Sequence, residues 1–264
     1  MTFADPDAAT PPVVTEIAGA REIVPVWGNE LGGITFAILD DRRPCFVKWS
    51  PIASGIDLAE EEIRLRWLAA FDVSVPGVVD AGRDAEATWL VTTAIPGENA
   101  VTDRWKADPV TAVRVIGESL RTFHDALPVD HCPFTWGVDE RLTEIRSAPP
   151  GRVERALQRD EFAHLSPADA LAILAHPPEI DALVVCHGDT CAPNTIIDAG
   201  GCFSGHVDLG AMGVADRWAD LAIATWSTTW NYGPGWEDPV LEAYGIEPDP
   251  ERTFYYRLLW ELGP

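Results

Sequence analysis

Lysine is scarce in this 264-residue sequence, which has only two, Lys48 and Lys106, among its 19 basic residues. The five cysteines never form the close pairs that metal and redox sites favour, and their odd number fits free thiols in a reducing compartment. No stretch approaches the roughly 18 apolar residues of a membrane span, and residues 1–30 lack the basic and apolar regions of an export signal. We therefore expect a cytoplasmic protein without a membrane span.

Positive charge is also in short supply, with 42 acidic residues against 19 basic ones and a formal net charge of −23. Such a balance repels nucleic-acid phosphates and anionic membranes, and it attracts cationic small molecules. It equally serves solubility alone, so both interpretations stay open. We expect no nucleic-acid partner and no membrane partner.

The first part of the chain is predicted to be rich in strands. Short apolar runs separated by polar turns predict these strands at 34–39, 44–49, 78–79 and 89–93. The first two runs flank a polar turn and predict a β-hairpin. Apolar residues at helical spacing predict a helix between about residues 58 and 71. Residues 1–12, rich in Pro, Ala and Asp, predict a loose arm.

A cluster of chain-breaking residues at 95–99 separates this strand-rich part from a mainly helical one. We therefore predict an α+β protein with a small β-rich N-lobe over residues 1–95 and a larger, mainly helical C-lobe over residues 96–264. Within the C-lobe, helices are predicted over 110–127 and from an N-cap at Ser166. Further elements are predicted at 183–186, 195–197 and 203–207 as strands and from about 216 as a helix.

Three polar residues that follow the predicted strand 183–186 have the spacing of a phosphotransfer site. Asn194 comes five residues after Asp189, and Asp208 follows fourteen residues later at the start of an Asp-Leu-Gly sequence. Kinases use this order for an Asp that accepts the hydroxyl proton, an Asn that binds metal and an Asp that holds Mg²⁺. Each residue alone could serve a turn, a cap or a strand end, but the joint spacing favours phosphoryl transfer. His187 is expected to brace the loop, with direct catalysis as the less favoured alternative.

Lys48 lies at the end of an apolar strand, from which a lysine can reach nucleotide phosphates. Its expected partner is a carboxylate on the next helix, where Glu60, Glu61 and Glu62 follow one another. At about 100° per residue, Glu61 falls on the inward arc of the leucines, Glu62 falls at its edge and Glu60 faces away. Because a buried Glu without a partner is costly, we predict a Lys48–Glu61 ion pair.

Glycines precede the first hairpin in the segment 28–35, which holds the adjacent pair Gly32 and Gly33. A glycine-rich loop at this place in the chain could cover the nucleotide phosphates. Two adjacent glycines before a strand could equally form an ordinary turn, and the sequence leaves both interpretations open.

Around these residues the sequence resembles the aminoglycoside phosphotransferases, and their 3′-phosphotransferase branch looks most similar. The matching segments are His187-Gly188-Asp189, Asn194, Asp208-Leu209-Gly210 and 213–222, with further matches at 120–124, 132–142 and 254–259. The resemblance runs from about residue 44 to residue 264. It implies the two-lobed protein-kinase-like fold, ATP (or GTP) with Mg²⁺, and a polycationic aminoglycoside antibiotic, one hydroxyl of which receives the γ-phosphate. Resemblance to the 3′ branch implies the 3′-hydroxyl. It also implies a role in antibiotic resistance, as a monomer or dimer.

The resemblance assigns roles to individual residues of this sequence. It implies a catalytic base and two Mg²⁺ ligands, which would be Asp189, Asn194 and Asp208. It implies nucleotide-binding residues, which would be Phe46, Lys48, Glu61, Thr93 and Ile95. Phe46 would stack on adenine, and the backbone of residues 93–95 would read the base. Asp220 looks like the buried carboxylate that holds the catalytic loop.

On the acceptor side the sequence departs from the family. The residues expected to contact ammonium groups are Asp160, Glu161, Glu261 and the carboxylate of Pro264. Ala211 stands where the family usually has an Arg, and Trp260 stands beside Glu261 where the family often has a second acidic residue. Losing one charge-assisted contact removes about 1.5–3 kcal/mol, enough to change which aminoglycoside is accepted.

Two other functions remain open on the sequence. The chain could be a kinase of another small amine or alcohol, or of a macrolide, and Glu261 argues against this only in part. It could also be a nucleotide-binding pseudokinase. Such proteins usually lack one of the catalytic groups, whereas Lys48, Asp189, Asn194 and Asp208 are all present here.

Overall fold

The computed structural model describes the backbone of residues 2–3 and the residues 9–29, 31–40, 42–149, 151–158 and 161–263. The chain forms two compact units. Unit 1 comprises Met1–Pro96 with Gly205–Gly210, and unit 2 comprises Gly97–Ser204 with Ala211–Pro264. Within the described part of the chain, no helix combines the length and the apolar character that a membrane crossing requires.

Unit 1 is built on one antiparallel sheet with strand order β1-β2-β3-β4-β6-β5. The strands are β1 (Thr2–Phe3), β2 (Glu22–Gly28), β3 (Ile34–Leu39), β4 (Cys45–Pro51), β5 (Val78–Arg83) and β6 (Ala87–Thr93), and the helices are α1 (Pro12–Ala18) and α2 (Ala59–Leu68). Apolar side chains of β3, β4 and β6 pack with α1 in a core that includes Phe36, Ile38 and Val47. The β3–β4 hairpin and helix α2 confirm the sequence predictions.

The N-terminal segment differs from the predicted loose arm. Thr2 and Phe3 pair with the edge strand β2, and Pro12 begins helix α1, while residues 4–8 lie outside the described residues. An edge strand has unpaired backbone groups that recruit such a segment. Strand β2 itself was not predicted, because Pro25 interrupts it at a bulge and proline argues against a strand in the sequence.

Residues 205–210 join unit 1 although they lie far along the chain, within the stretch that the sequence analysis assigned to the C-lobe. The N–H of His206 donates to the carbonyl of Ser74 at 2.9 Å. Gly205 lies against Ile95 so closely that an added Cβ would be 2.5 Å from its Cδ1. These contacts place Asp208 in the same unit as the strand that carries Lys48.

Unit 2 is mainly helical. Its helices are α3 (Asp103–Lys106), α4 (Pro109–Ala126), α5 (Val138–Ser147), α6 (Arg152–Ala156), α7 (Pro167–Leu174), α8 (Trp218–Tyr232), α9 (Glu237–Tyr244) and α10 (Pro250–Leu262). The remaining strands, in two small sheets, are β7 (Glu98–Asn99), β8 (Leu183–Cys186), β9 (Thr195–Ile197), β10 (Phe203–His206) and β11 (Gly213–Asp216). The last two residues of β10 belong to unit 1. The predicted cap of α7 is confirmed, since Ser166 Oγ accepts the N–H of Asp169 at 3.1 Å.

Helix α8 is the central element of unit 2, because every residue from 218 to 228 is buried. It begins where the side chain of Asp216 accepts the N–H of Trp218 at 2.9 Å, a local cap that supplies one of the partners a helix start lacks. The predicted strand β8 pairs with β11 and leads into the loop of residues 187–194. That loop packs on α8, which therefore determines where its polar side chains lie.

Candidate active site

In unit 1, the side chain of Lys48 lies between two carboxylates. Its Nζ is 2.7 and 2.6 Å from the two carboxylate oxygens of Glu61 and 2.8 Å from Oδ1 of Asp208. Glu61 is only 5% exposed, whereas Glu60 is exposed and Glu62 lies in between, each paired with an arginine one helical turn away. The predicted Lys48–Glu61 pair is confirmed, and so is the choice of Glu61 among the three glutamates.

The charges in this cluster are strongly coupled. Burial opposes the charged form of Lys48, but Asp208 and Glu61 outweigh it and raise the pKa of Lys48 above its ordinary value. Burial raises the pKa of Glu61, Asp208 adds to the rise, and Lys48 and the Leu209 N–H oppose it. The lysine therefore stays protonated, and one ammonium shared by two carboxylates leaves an excess of negative charge that suits a divalent cation.

Asp208 has an unusual backbone conformation. Its φ of 66° makes it the one residue other than glycine with a positive φ in the described ranges. Non-glycine residues in this region carry strain of about 1–3 kcal/mol, and such strain concentrates at functional sites. Here the conformation directs the carboxylate to Lys48. Its carboxylate offers hard oxygen donors of the kind that Mg²⁺ prefers, so this residue fits the metal that the resemblance implies.

The glycine segment forms the turn between β2 and β3. Oδ1 of Asn29 accepts the N–H groups of Leu31 at 3.0 Å and Gly33 at 2.8 Å, and Gly32 has a φ of 88° that favours glycine. Glu30 lies outside the described residues. A cavity of about 280 Å³ in unit 1 is lined by this turn and also by Thr35, Lys48, Trp49, Glu61, Asp208 and Gly210. Its position beside the lysine favours phosphate cover over an ordinary turn.

The residues predicted to bind adenine lie on β4 and at the end of β6. Phe46 is half-buried on β4, two residues before Lys48. The N–H of Thr93 donates to the carbonyl of Gly77 at 2.9 Å, and the N–H of Ala94 donates to the carbonyl just before β4 at 3.1 Å. A base read by this backbone would therefore use its carbonyl groups or the N–H of Ile95.

In unit 2, the loop after β8 holds Asp189 and Asn194 together. Nδ2 of Asn194 donates to the carbonyl of Asp189 at 2.9 Å and to its Oδ2 at 3.1 Å. A single 3₁₀ turn over Ala192–Asn194 brings the amide back to the carboxylate. Because Nδ2 faces Asp189, the carbonyl oxygen of Asn194 is the atom left to face a cation. His187 is fully buried and its Nδ1 lies 3.3 Å from the N–H of Asp189, which agrees with the bracing role.

Asp220 holds this loop from helix α8. Its Oδ2 accepts the N–H of His187 at 2.6 Å, and its Oδ1 accepts the N–H of Gly188 at 2.9 Å. Oδ2 also lies 3.0 Å from Nε2 of His124. Thr190 adds a bond in the other direction, from its Oγ1 to the Asp220 carbonyl at 2.7 Å. Although burial opposes its charge, the hydrogen bonds hold the pKa of Asp220 below its ordinary value. The loop-holding role predicted from the resemblance is confirmed.

His124, which lies on α4, was not assigned a role from the sequence. Its Nδ1 is 2.9 Å from the hydroxyl of Tyr244, so both ring nitrogens are hydrogen-bonded. The signal in the sequence was a histidine within the apolar face of an amphipathic helix. Ligand atoms of His124, Asp220 and Cys186 lie within 4.8 Å of one another. Asp220 holds the loop and is itself bonded to His124, while Sγ of Cys186 donates to the carbonyl of Asp216, so we interpret this group as structural.

Gly188 has no room for a side chain. Its φ is 90°, and an added Cβ would lie 2.3 Å from the carbonyl oxygen of Ala211 and 2.7 Å from its Cβ. The residue that follows Asp-Leu-Gly therefore packs its backbone against the loop of Asp189. This contact does not depend on the arginine that the family usually has at the position of Ala211.

The residues predicted on the acceptor side are only partly described. Asp160 and Pro264 lie outside the described residues. Oε1 of Glu161 lies 3.7 Å from Nη1 of Arg257, whose Nη2 donates to Oε2 of Glu237 at 2.6 Å. Glu161 is thus part of a network whose other members, Arg257 and Glu237, were not predicted.

Trp260, one of the departures from the family, belongs to a cluster of three tryptophans on α8 and α10. The ring centroids of Trp226 and Trp230 are 4.7 Å apart, and those of Trp230 and Trp260 are 5.8 Å apart. Trp230 is 45% exposed. The position before Glu261 in the sequence therefore contributes an aromatic ring to this cluster, where the family often has a second acidic residue.

Comparison with known proteins agrees with this geometry. The model of the phosphotransferase enzyme family (APH) matches residues 30–255. The aminoglycoside 3′-phosphotransferase of Streptomyces fradiae is 37% identical over 222 residues, which cover 81% of this chain and 82% of that protein. The streptomycin 3″-kinase of Streptomyces griseus is 34% identical over 270 residues, covering 95% and 94%.

Solved structures show the same relationship. An aminoglycoside 3′-phosphotransferase of type VIII superposes with a TM-score of 0.78 at 28% identity, covering 92% of this chain and 93% of that one. APH(3″)-Id of Streptomyces rimosus, in complex with ADP and streptomycin, superposes with a TM-score of 0.75 at 29% identity, covering 94% and 95%. The predicted kinase-like α+β fold is thereby confirmed. The chain belongs to the phosphotransferase enzyme family.

Proposed function

We propose that the protein transfers the γ-phosphate of ATP to a hydroxyl group of an aminoglycoside, with the 3′-hydroxyl favoured. The observation that carries the proposal is the Lys48–Glu61–Asp208 cluster in unit 1, together with the hydrogen-bonded Asp189–Asn194 pair in unit 2. These are the groups that phosphoryl transfer requires. Relatives that phosphorylate the 3′ or the 3″ position of aminoglycosides support the acceptor class.

The nucleotide is assigned to unit 1. Lys48 would neutralise phosphate oxygens, and Glu61 keeps its ammonium in place. Phe46 would stack on the base, and the backbone from Thr93 to Ile95 would read its edge. The ADP-bound relative supports a nucleotide site. ATP is the proposed donor. Replacing ATP with GTP in the turnover assay described below tests GTP as a donor.

Mg²⁺ is assigned to Asn194 and Asp208. When bound, the metal would neutralise charge on the phosphate oxygens. Asp208 is bonded to Lys48, so the same carboxylate would serve both the metal and the lysine.

Asp189 acts on the acceptor. Its carboxylate orients the hydroxyl and takes up its proton as the oxygen bonds to the γ-phosphorus and the bond to the leaving ADP breaks. Asn194 fixes the carboxylate through its Nδ2, so less reorganisation is needed at the moment of transfer. The loop contributes positioning more than covalent chemistry.

A cationic acceptor fits the acidic character of the chain, whose net charge of −23 attracts it. We assign contacts with its ammonium groups to Glu161 and Glu261, and the predicted roles of Asp160 and Pro264 belong to the same proposal. Units 1 and 2 would then serve the nucleotide and the acceptor respectively, as the lobes 1–95 and 96–264 were predicted to do.

The test is a coupled ADP-release assay with kanamycin, neomycin and a 3′-deoxy analogue of kanamycin. We expect turnover of the first two, little with the 3′-deoxy compound, and a drop of about 10³-fold or more in Asp189→Asn, since this variant removes the proton acceptor. Binding of ADP to Asp189→Asn, measured by calorimetry, controls for folding. Equal turnover of kanamycin and its 3′-deoxy analogue would overturn the 3′ assignment.

Streptomycin is the second candidate acceptor. It is favoured by the 3″-kinase of Streptomyces griseus, because that relative is matched over 95% of this chain. Adding streptomycin to the same panel separates the two positions. Absence of turnover with every aminoglycoside would contradict the acceptor class and point to another small amine, an alcohol or a macrolide.

A further inference from the structure

Helix α8 contacts the catalytic loop at a second point, Ser227, to which neither the sequence nor the resemblance gave a role. Ser227 is fully buried, and its Oγ accepts the N–H of Ala192 at 2.8 Å. Ala192 begins the 3₁₀ turn that carries Asn194. The first N–H groups of such a turn have no acceptor within it, so Ser227 supplies the partner that the buried N–H of Ala192 needs.

The two anchors lie on one face of one helix. Asp220 and Ser227 are seven residues apart, which is two helical turns or about 10 Å at about 1.5 Å per residue. Asp220 holds the backbone of His187 and Gly188 at one end of the loop, and Ser227 holds Ala192 at the other. Asp189 lies in the stretch between them, so a single rigid element fixes the loop on both sides of the catalytic carboxylate.

Asn231, one turn further along α8, supports Ser227. Its Nδ2 donates to the carbonyl of Ser227 at 2.8 Å and lies 3.2 Å from Oγ. A hydroxyl oxygen has two acceptor sites, and here one receives Ala192 and the other Asn231. The position of Oγ is therefore set from both sides, which holds the serine in the rotamer that reaches the loop.

We propose that Ser227, oriented by Asn231, is a positioning residue for phosphoryl transfer: it fixes the turn that carries Asn194 and, through Asn194, the carboxylate of Asp189. The inference rests on the proposed function, which assigns Asp189 and Asn194 their roles in phosphoryl transfer. Misplacement of a reacting group by about 1 Å can reduce a rate about 100-fold while binding is retained. Loss of the Ser227 hydroxyl should therefore lower kcat and leave KM nearly unchanged.

The matched variants are Ser227→Ala and Thr228→Val. Thr228 is the next residue on α8 and is also fully buried, but its hydroxyl donates to the carbonyl of Thr225 within the helix at 2.6 Å. Both variants remove one buried hydroxyl group, and only Ser227→Ala removes a bond to the loop. We expect kcat to fall about 10–100-fold in Ser227→Ala, with KM values for ATP and kanamycin within about twofold of wild type, and to stay near wild type in Thr228→Val.

Asn231→Ala supplies a second test, because it leaves the serine hydroxyl in place and removes only its support. We expect a smaller fall in kcat, and in the double variant with Ser227→Ala we expect no further fall, since both residues act through one hydrogen bond. Additive losses in the double variant would overturn the assignment of Asn231.

Hydrogen exchange measures the contact between Ser227 and the N–H of Ala192 directly, and it needs no acceptor substrate. We expect the amide of Ala192 to lose protection in Ser227→Ala and to keep it in Thr228→Val, as followed by mass spectrometry of peptides that span residues 187–194. If no aminoglycoside is a substrate, the rate of ATP hydrolysis without acceptor is the kinetic quantity to compare between the variants. Wild-type kcat and wild-type exchange in Ser227→Ala, or equal losses in both variants, would overturn the proposal.

Discussion

Nζ of Lys48 and Oδ1 of Asp208 are 2.8 Å apart, although 160 residues separate them in the sequence. The lysine expected to hold phosphates and the carboxylate expected to hold Mg²⁺ are therefore in direct contact within unit 1. The positive φ of Asp208 is part of this arrangement, since it directs the carboxylate to the lysine. Changes at Asp208 should consequently affect metal dependence and lysine placement together.

Asp208→Asn should remove the charged metal ligand while keeping the shape of the side chain. We expect kcat to fall about 100-fold or more, and the Mg²⁺ concentration for half-maximal rate to rise, because a neutral amide binds a hard cation less tightly than a carboxylate. A Mg²⁺ titration of the steady-state rate measures both effects. An unchanged Mg²⁺ dependence would contradict the assignment of Asp208 as a ligand.

Glu61→Gln should weaken nucleotide binding, whereas Glu60→Gln on the same helix should not. Glu61 contacts Lys48 with both oxygens and is buried, but Glu60 is exposed. Loss of the buried partner should lower the free energy of unfolding by about 1–3 kcal/mol and raise KM for ATP several-fold. Urea denaturation and steady-state kinetics of the two variants measure the contrast. Similar stability and similar KM values for ATP in Glu61→Gln and Glu60→Gln would argue against a phosphate-holding role for Glu61.

The stability contributed by Asp220 should depend on pH. The folded protein holds the pKa of Asp220 below its ordinary value of 3.8, so the ionised carboxylate stabilises the fold above that pH. As the pH falls below 3.8 and through the lowered pKa, that contribution should be lost. In Asp220→Asn only one side-chain oxygen remains to accept from the three donors. We therefore expect the free energy of unfolding near neutral pH to fall by about 2–4 kcal/mol.

Urea titrations of the wild type and Asp220→Asn between pH 3 and pH 7 measure this dependence. The difference in the free energy of unfolding should be largest above about pH 4 and should shrink towards pH 3, because only the wild type has a carboxylate to protonate. A difference that stays constant over this range would show that the charge of Asp220 does not stabilise the fold.

Part of the candidate site was predictable because the spacing of residues in the sequence reflects local structure. Asp189 and Asn194 share one loop, so a spacing of five is enough to bring them together. Glu61 could be chosen because a helix has a fixed angular step, which the burial of Glu61 and the exposure of Glu60 confirm. The fold class followed from the same short-range patterns and from the resemblance.

Contacts between distant segments were not predictable in the same way. Ser227 and Ala192 are 35 residues apart, and a serine inside an apolar helix gives no sign of which backbone group it meets. Arg257, within α10, and Glu237, at the start of α9, likewise form their pair only because tertiary packing brings the two helices together. Strand β2 was missed for a local reason, the proline at its bulge. Tertiary packing decides such cases, and local sequence does not report it.

Glu261 provides the last prediction, because it is the described carboxylate on α10 that the sequence analysis assigned to the acceptor. Glu261→Gln should raise KM for kanamycin about 10-fold or more and leave KM for ATP unchanged, since a charge-assisted hydrogen bond contributes about 1.5–3 kcal/mol. Glu251→Gln, on an exposed residue in the first turn of the same helix, changes the net charge equally and is the control. Equal KM values in the two variants would show that only the overall negative charge attracts the acceptor, and that Glu261 does not bind it directly.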